Sequence, residues 1–376
     1  MTSKHSEETK SILSEETKAK LSEETKTKLS EEIKVEAQRL GFFACGIAQA
    51  TAVDPDTAAE VKRWLDKGGY AEMNYMNNHT DKRLDPRLLM PGLKSIVCVA
   101  LNYAPEQRIP QTEFQLAGYA YGQDYHDVVK NKLRQLAATF GFQPYTEPAN
   151  SHTPAVPTPQ TTPNPSSLIP PPLPPQFRVF CDSAPILERY WAVKAGLGWT
   201  GRNHQLIIPN AGSMFVLGEL FLNIPLSYDQ PLPNRCGSCH RCIDACPTGA
   251  LGTWNSSTAH HLHPFDAARC LSYQTIENRG TLSTDIAAAM GNTIYGCDKC
   301  QTACPWNRFA SPTNIAELRP RPELLAMTRE KWLHLSEEDY QKLFKGSAVK
   351  RAKYSGLMRN ITAVNNQEKD KKHPSE

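Results

Sequence analysis

Residues 236–247 read CGSCHRCIDACP, which places Cys236, Cys239, Cys242 and Cys246 in one tight run with Pro247 directly after the last of them. This C-x2-C-x2-C-x3-C-P spacing is the bacterial ferredoxin run. Three closely spaced thiolates wrap one corner of a cubane, the fourth points toward a second cluster, and the proline turns the chain away. A shorter run follows, Cys297-x2-Cys300-x3-Cys304-Pro305, and Cys270 lies between the two. The spacing therefore predicts two [4Fe–4S] clusters. Cys236, Cys239, Cys242 and Cys304 are expected on one, and Cys246, Cys270, Cys297 and Cys300 on the other. Zinc fits poorly, because its structural sites use pairs of CxxC rather than one tight run of cysteines. Of the 11 cysteines, the remaining Cys45, Cys98 and Cys181 sit in apolar contexts and read as inert core thiols. HHLH (260–263) lacks the fixed helical spacing of a metal site.

A pair of cubanes passes electrons one at a time and performs no organic chemistry, so most of the 376 residues must serve whatever uses the electrons. Upstream of the cysteines the pattern has α/β character. CGIA (45–48) and SIVCVALNY (95–103) read as buried strands, and Ala58 to Lys67 and Val128 to Phe140 as helices. FRVFCDSAP (177–185) opens as a strand. A helix is expected over Ile186 to Ala195, then the turn GLGWTGRN (196–203), then strand-like runs over Gln205 to Pro209 and Ser213 to Leu222. No GxGxxG opens a helix after a strand, so a dinucleotide site is not indicated.

The predicted organisation has four parts. Residues 1–32 are a low-complexity repeat, with SEETK at Ser6, Ser14 and Ser22 and SEEIK at Ser30. That period drifts around a helix and holds no single apolar stripe, so the first true helix is expected at Ile33 to Leu40. Residues 33–230 form an α/β catalytic domain, interrupted at 148–175 by a proline-rich insertion. Residues 231–310 form a ferredoxin-like domain, and residues 311–376 a helical, basic region. With 22% charged residues, 40% apolar ones and a net charge of +3, the chain reads as soluble and globular. It is no polycation, so any RNA contact must come from a local basic patch. The opening MTSKHSEETK has no apolar leader core, and the apolar stretch near Met214 to Leu226 is broken by Glu219. A cytoplasmic location is expected.

From Leu40 to about Asn360 the chain resembles the epoxyqueuosine reductase family. The resemblance rests on DKRLDPRLLMPGLKSIV (81–97), YGQDYHDVVKNKL (121–133), DSAPILERYWAVKAGLGWTGRN (182–203), CGSCHRCIDACPTGAL (236–251), RCLSYQTIE (269–277) and YGCDKCQTACPWN (295–307). The N-terminal repeats and the proline-rich insertion depart from the family pattern, and the C-terminal region leaves no room for the helical-repeat extension of some members. The resemblance implies a core that binds base-off cobalamin, with no histidine on cobalt, and clusters that reduce the cobalt. The epoxide of epoxyqueuosine, at the wobble position of tRNA, is then reduced to the alkene of queuosine with release of water. The acid that protonates the departing oxygen would be Asp182. Read from the residues, Asp182 ends an apolar strand before a helix, and burial beside a corrin would raise its pKa. It would serve equally as a helix N-cap.

Arg83, Trp199, Thr200, Asn203, Ser272, Cys297 and Asp298, with Asp182, are the expected cobalamin contacts. Arg83 read alone suits a surface ion pair, and GLGWTGRN an ordinary loop. Tyr125 and His126 belong to a matching motif with no assigned role. GSAVKRAKYSGLMRN (346–360) has no acid, and its Lys350, Arg351, Lys353 and Arg359 suit tRNA phosphates or a merely solvated helix. A monomer served by a low-potential electron donor is expected. Two rivals remain: a corrinoid reductive dehalogenase, which uses a tyrosine acid, and a corrinoid-linked electron carrier with no substrate of its own.

Overall fold

A computed structural model describes residues 22–147, 175–253 and 265–372. The first two SEETK copies, HHLH, and the proline-rich insertion apart from Pro175 lie outside the described residues. The strands are β1 (Ala44–Gln49), β2 (Ser95–Asn102), β3 (Gln115–Leu116), β4 (Gln143–Pro144), β5 (Gln176–Phe180), β6 (Trp199–Thr200), β7 (Leu206–Ile207), β8 (Phe215–Leu222) and β9 (Thr293–Tyr295). The helices before the ferredoxin run are α1 (Glu23–Arg39), α2 (Pro55–Asp66), α3 (Thr80–Leu84), α4 (Tyr125–Thr139) and α5 (Glu188–Lys194). After it come α6 (Arg241–Asp244), α7 (Leu271–Ile276), α8 (Thr284–Met290), α9 (Lys299–Thr302), α10 (Pro322–Leu325), α11 (Arg329–Leu333), α12 (Glu337–Leu343) and α13 (Lys353–Lys372).

The main sheet runs β1-β2-β8-β5-β4. Its pairings are antiparallel except for β4 with β5. Every residue of β2 is buried, which explains why SIVCVALN shows no polar alternation. Alternate side chains of β2 serve opposite cores. Val97, Val99 and Leu101 meet Val129 and Leu133 of α4 and Leu29 and Ile33 of α1. Ile96, Cys98 and Ala100 meet Trp191 and Ala192 of α5. The α/β expectation holds, as helices cover both faces of a largely antiparallel sheet.

The packed chain starts earlier than the boundary expected between residues 32 and 33. Ser22 caps α1 by accepting a hydrogen bond from the Thr25 amide at 3.2 Å. Leu29, Ile33 and Ala37, spaced by four, share the buried face. The Ser30 hydroxyl donates to the Lys26 carbonyl and accepts from the Ser227 amide. A repeat of eight drifts slowly, so over two copies its four-spaced apolar residues still form one stripe.

Packing against β8 sets the position of α4. A Cβ on Gly218 would lie 2.4 Å from a Val129 methyl and 3.2 Å from the Phe180 carbonyl. The missing side chain lets the helix rest directly on the strand. The C-terminal region is not an appendage. Trp332, Tyr340, Phe344, Leu357, Ile361 and Val364 form a core around Ile294 and Tyr295 of β9. Within it Asn360, fully buried, donates to the Thr275 and Ile294 carbonyls, both at 2.8 Å. Among the described residues no helix is long and apolar enough to cross a membrane.

Gly218→Ala is expected to lower stability by about 1–3 kcal/mol through overpacking, measured as a lower midpoint in denaturant with an unchanged slope.

Candidate redox and acid site

Cys236, Cys239, Cys242 and Cys304 line one cavity, together with Arg202, Asn203, Ile207, Pro305 and Trp306. Cys270 lies close enough to Cys246 and Cys297 to feel their charge, and Cys300 feels both Cys297 and Cys270. The thiols thus gather in two neighbouring groups, since Cys300 also senses Cys242 and packs near it. Among the described residues no three His, Cys, Asp or Glu side chains converge as a single bound ion needs. The first set surrounds a space, which suits a multi-iron cluster. Burial pushes the Cys242 and Cys297 thiols up to about 11, so these cysteines ionise readily only against a bound cation.

Other residues, not singled out from the sequence, dock this module on the sheet. The Arg202 guanidinium donates to the Cys239 carbonyl at 2.9 Å and the Gly237 carbonyl at 2.7 Å. Trp306 meets Trp199 edge to face at 4.9 Å. The Gln301 side chain joins the Tyr103 hydroxyl and the Ser213 hydroxyl, each at 3.1 Å. Asn307 accepts from the Ser213 amide at 2.6 Å. Their signal was position: each lies in, or directly after, a turn or cysteine motif.

The second centre is Asp182, just past the end of β5. Its backbone is left-handed, φ 57°, and its amide donates to Glu188. The Tyr125 hydroxyl donates to Asp182 Oδ2 at 2.6 Å, and His126 Nε2 lies 3.3 Å from the same oxygen. His126 Nδ1 lies 2.6 Å from Asp124 Oδ1, and Asp124 caps α4 by accepting from the His126 amide. The Tyr125 and His126 rings stack at 4.1 Å. The Asp182 side chain remains 57% exposed, open to a ligand.

One expectation about Asp182 is corrected. It is not an N-cap: α5 starts at Glu188, and its cap position, Leu187, makes no side-chain bond. In the open site its carboxyl is held low. Burial pushes it up, but the hydrogen bonds from His126 and Tyr125 outweigh this and hold it below the usual carboxylate range. The raised groups are its neighbours. Burial works against charge on His126, yet Asp124 and Asp182 lift it to about 9. Burial and the Asp182 charge push Glu188 up to about 7. Glu219 on β8 is fully buried, has no donor on either oxygen, and is raised well above its ordinary value by burial and by Glu188.

The expected cobalamin positions are scattered in sequence and mostly buried. Arg83 on α3 is 6% exposed. It reaches the Tyr75 carbonyl at 3.4 Å rather than forming a surface ion pair, and its Nε has no partner. Trp199 Nε1, Asn203 Nδ2 and Asp298 Oδ1 are likewise buried without partners. Asp298 Oδ2 accepts from the Gly118 amide at 2.8 Å. Thr200 on β6 and Ser272 on α7 are partly buried. Cys297 belongs to the second thiol set.

The basic tail divides. Lys350 and Lys353 are exposed, but they do not share one helical turn. A 3-10 segment ends at Ala352, and Lys353 is left-handed at φ 62°. Arg351 forms a two-pronged ion pair with Glu277 at 2.7 and 2.8 Å. Arg359, expected on phosphate, instead donates to the Gln274, Asn278 and Gly280 carbonyls and to Asn360. Those bonds make it an internal brace.

Thiols grouped for cubane clusters move electrons, and a carboxylate set on a charged histidine moves protons. A chain that carries both has the parts of an iron–sulfur oxidoreductase. Residues 235–307 match the 4Fe-4S double cluster binding domain, and residues 83–152 match the family described as epoxyqueuosine reductase QueG, DUF1730. The epoxyqueuosine reductase of Cellulophaga algicola is 38% identical over 328 residues, covering 87% of this chain and 94% of that protein. That of Cyclobacterium marinum is 40% identical over 334 residues, covering 88% and 95%. A solved epoxyqueuosine reductase with a tRNA-Tyr epoxyqueuosine-modified tRNA stem loop superposes with a TM-score of 0.74 at 27% identity, over 91% of this chain and 82% of that one. The chain belongs to the epoxyqueuosine reductase family.

Cys242→Ala and Cys297→Ala, reconstituted with iron and sulfide, are each expected to lose about half of the bound iron. Iron and sulfide analysis with electron paramagnetic resonance checks this, and an unchanged iron content in either variant would contradict the assignment.

Proposed function

We propose that this chain reduces epoxyqueuosine in the anticodon of tRNA to queuosine in the cytoplasm, with two [4Fe–4S] clusters and base-off cobalamin as resident cofactors. What carries the reading is 38–40% identity to epoxyqueuosine reductases over 87–88% of the chain. Cobalamin fits the residues present. Arg83, Trp199, Asn203 and Asp298 each carry a buried polar atom without a protein partner. Such orphans call for an outside partner, and the corrin's rim of amides offers both donors and acceptors. With Thr200, Ser272 and Cys297 these residues would hold the cofactor. When bound, cobalamin would supply a reducible cobalt centre, nucleophilic toward carbon.

Asp182 protonates the oxygen that leaves. Its exposed carboxyl is held by Tyr125 and by the left-handed turn, so its direction is set before substrate arrives. Lys350 and Lys353 are free to meet tRNA phosphates, and Arg351 does so from its ion pair with Glu277. The flipped wobble base then enters the pocket. A low-potential donor feeds the clusters.

The test is an anaerobic single turnover with reconstituted enzyme, cobalamin, a low-potential reductant and tRNA bearing epoxyqueuosine, read by mass spectrometry of the digested nucleosides. Wild type is expected to form queuosine, and Asp182→Asn to lose it while still binding cobalamin. No conversion by protein holding both clusters and cobalamin would overturn the substrate assignment. Lys350→Glu with Lys353→Glu is expected to weaken tRNA binding and to reduce the salt slope by about one for each phosphate that is no longer neutralised. Filter binding across salt concentrations measures this.

A further inference from the structure

We propose that His126 is the proton store of the acid site: it keeps the proton that Asp182 delivers, and it reloads Asp182 for the second delivery. The inference rests on the proposed reaction. Reducing an epoxide to an alkene breaks both C–O bonds, consumes two electrons and two protons, and releases the oxygen as water. The electrons arrive through the clusters. A lone carboxylic acid carries one proton.

The geometry supplies the second. His126 Nε2 points at Asp182 Oδ2 from 3.3 Å, while Asp124 holds the opposite ring nitrogen at 2.6 Å. The ring is thereby fixed with its Nε2 proton facing the acid. The other charged and titratable groups around the pair do different work. Tyr125 donates to Asp182 Oδ2, but burial and the Asp182 charge hold its phenol protonated, so it orients. Lys130 of α4 donates to Ser183. Glu188 of α5 accepts from the Asp182 amide, and Arg189 of α5 donates to the His204 carbonyl. Glu219 of β8 lies behind Glu188. Cys181 is buried and kept as a thiol.

In the open site the pair rests as imidazolium and carboxylate, since the Asp182 carboxyl is held low and His126 is lifted to about 9. Substrate covers the exposed carboxylate. Loss of water disfavours both charges, so the proton crosses from Nε2 to Oδ2 and leaves a neutral pair. Asp182 then passes that proton to the oxygen as the first C–O bond opens. His126, 29% exposed, takes a proton from solvent and reloads Asp182. The second proton leaves with the hydroxyl as water.

Two measurements decide it. The first follows the imidazole nitrogens of labelled wild-type protein through a pH titration by NMR. His126 is expected to titrate near 9, and to fall toward an ordinary histidine value in Asp182→Asn. Titration of His126 at an ordinary value in wild type would overturn the proposal. The second is the single-turnover pH profile of the holoenzyme. Wild type should hold its rate up to about pH 9 and decline above it, because the store empties there. His126→Gln should turn over about 10²–10⁴-fold more slowly near pH 8 and lose that alkaline limb. A His126→Gln enzyme with the wild-type rate and profile would overturn the role of His126 while leaving the reductase reading intact. A wild type that makes no queuosine would instead remove the reading itself.

Discussion

The close approach of α4 to β8 over Gly218 is the constraint on which the acid site depends. A side chain there would meet Val129 and lift the helix. The first residues of α4 are Tyr125 and His126, and the strand beside β8 is β5, which ends just before Asp182. Helix height over the sheet therefore sets the gap between His126 and Asp182. A change of about an ångström in a helix–strand contact would break a 2.6 Å hydrogen bond and a 3.3 Å charge contact together. Asp124 joins these levels, because one carboxylate caps the helix and fixes the imidazole.

The cluster module meets this core through a polar seam. Arg202 holds the first cysteine loop by its carbonyls, and Gln301 and Asn307 join Tyr103 and Ser213 across the boundary. Directional bonds of this kind fix orientation better than apolar contact does, and the position of an electron relay matters more than its affinity for the core. The two thiol sets are assembled from segments on either side of α7 and β9, so neither set is complete until the module has folded.

The tight cysteine runs were legible in the sequence because their spacing is local: a thiolate three residues from the next can share a cluster corner whatever surrounds it. The buried strands were legible from continuous apolar runs. The acid site was only half legible. Asp182 and Tyr125 are 57 residues apart, and nothing in either segment encodes their meeting, so His126 had no readable role. The low carboxyl of the open site was unreadable for the same reason, since desolvation can be guessed from one segment but two donors from another helix cannot. Arg359 misled because a run of basic residues without acids suggests a solvated face. Its true partners are backbone carbonyls, which carry no sequence signature.

The same brace reaches the clusters. Arg359 and Asn360 tie α13 to residues 274–280 and to Thr275, immediately behind Cys270. Helix α13 thus acts as a splint on the segment that follows Cys270. Breathing of the loop would open a thiol to oxygen, and metal leaves an exposed cubane one iron at a time. An arginine whose nitrogens all point inward thus stiffens, from the C-terminal helix, the ground on which a cysteine of the redox centre stands.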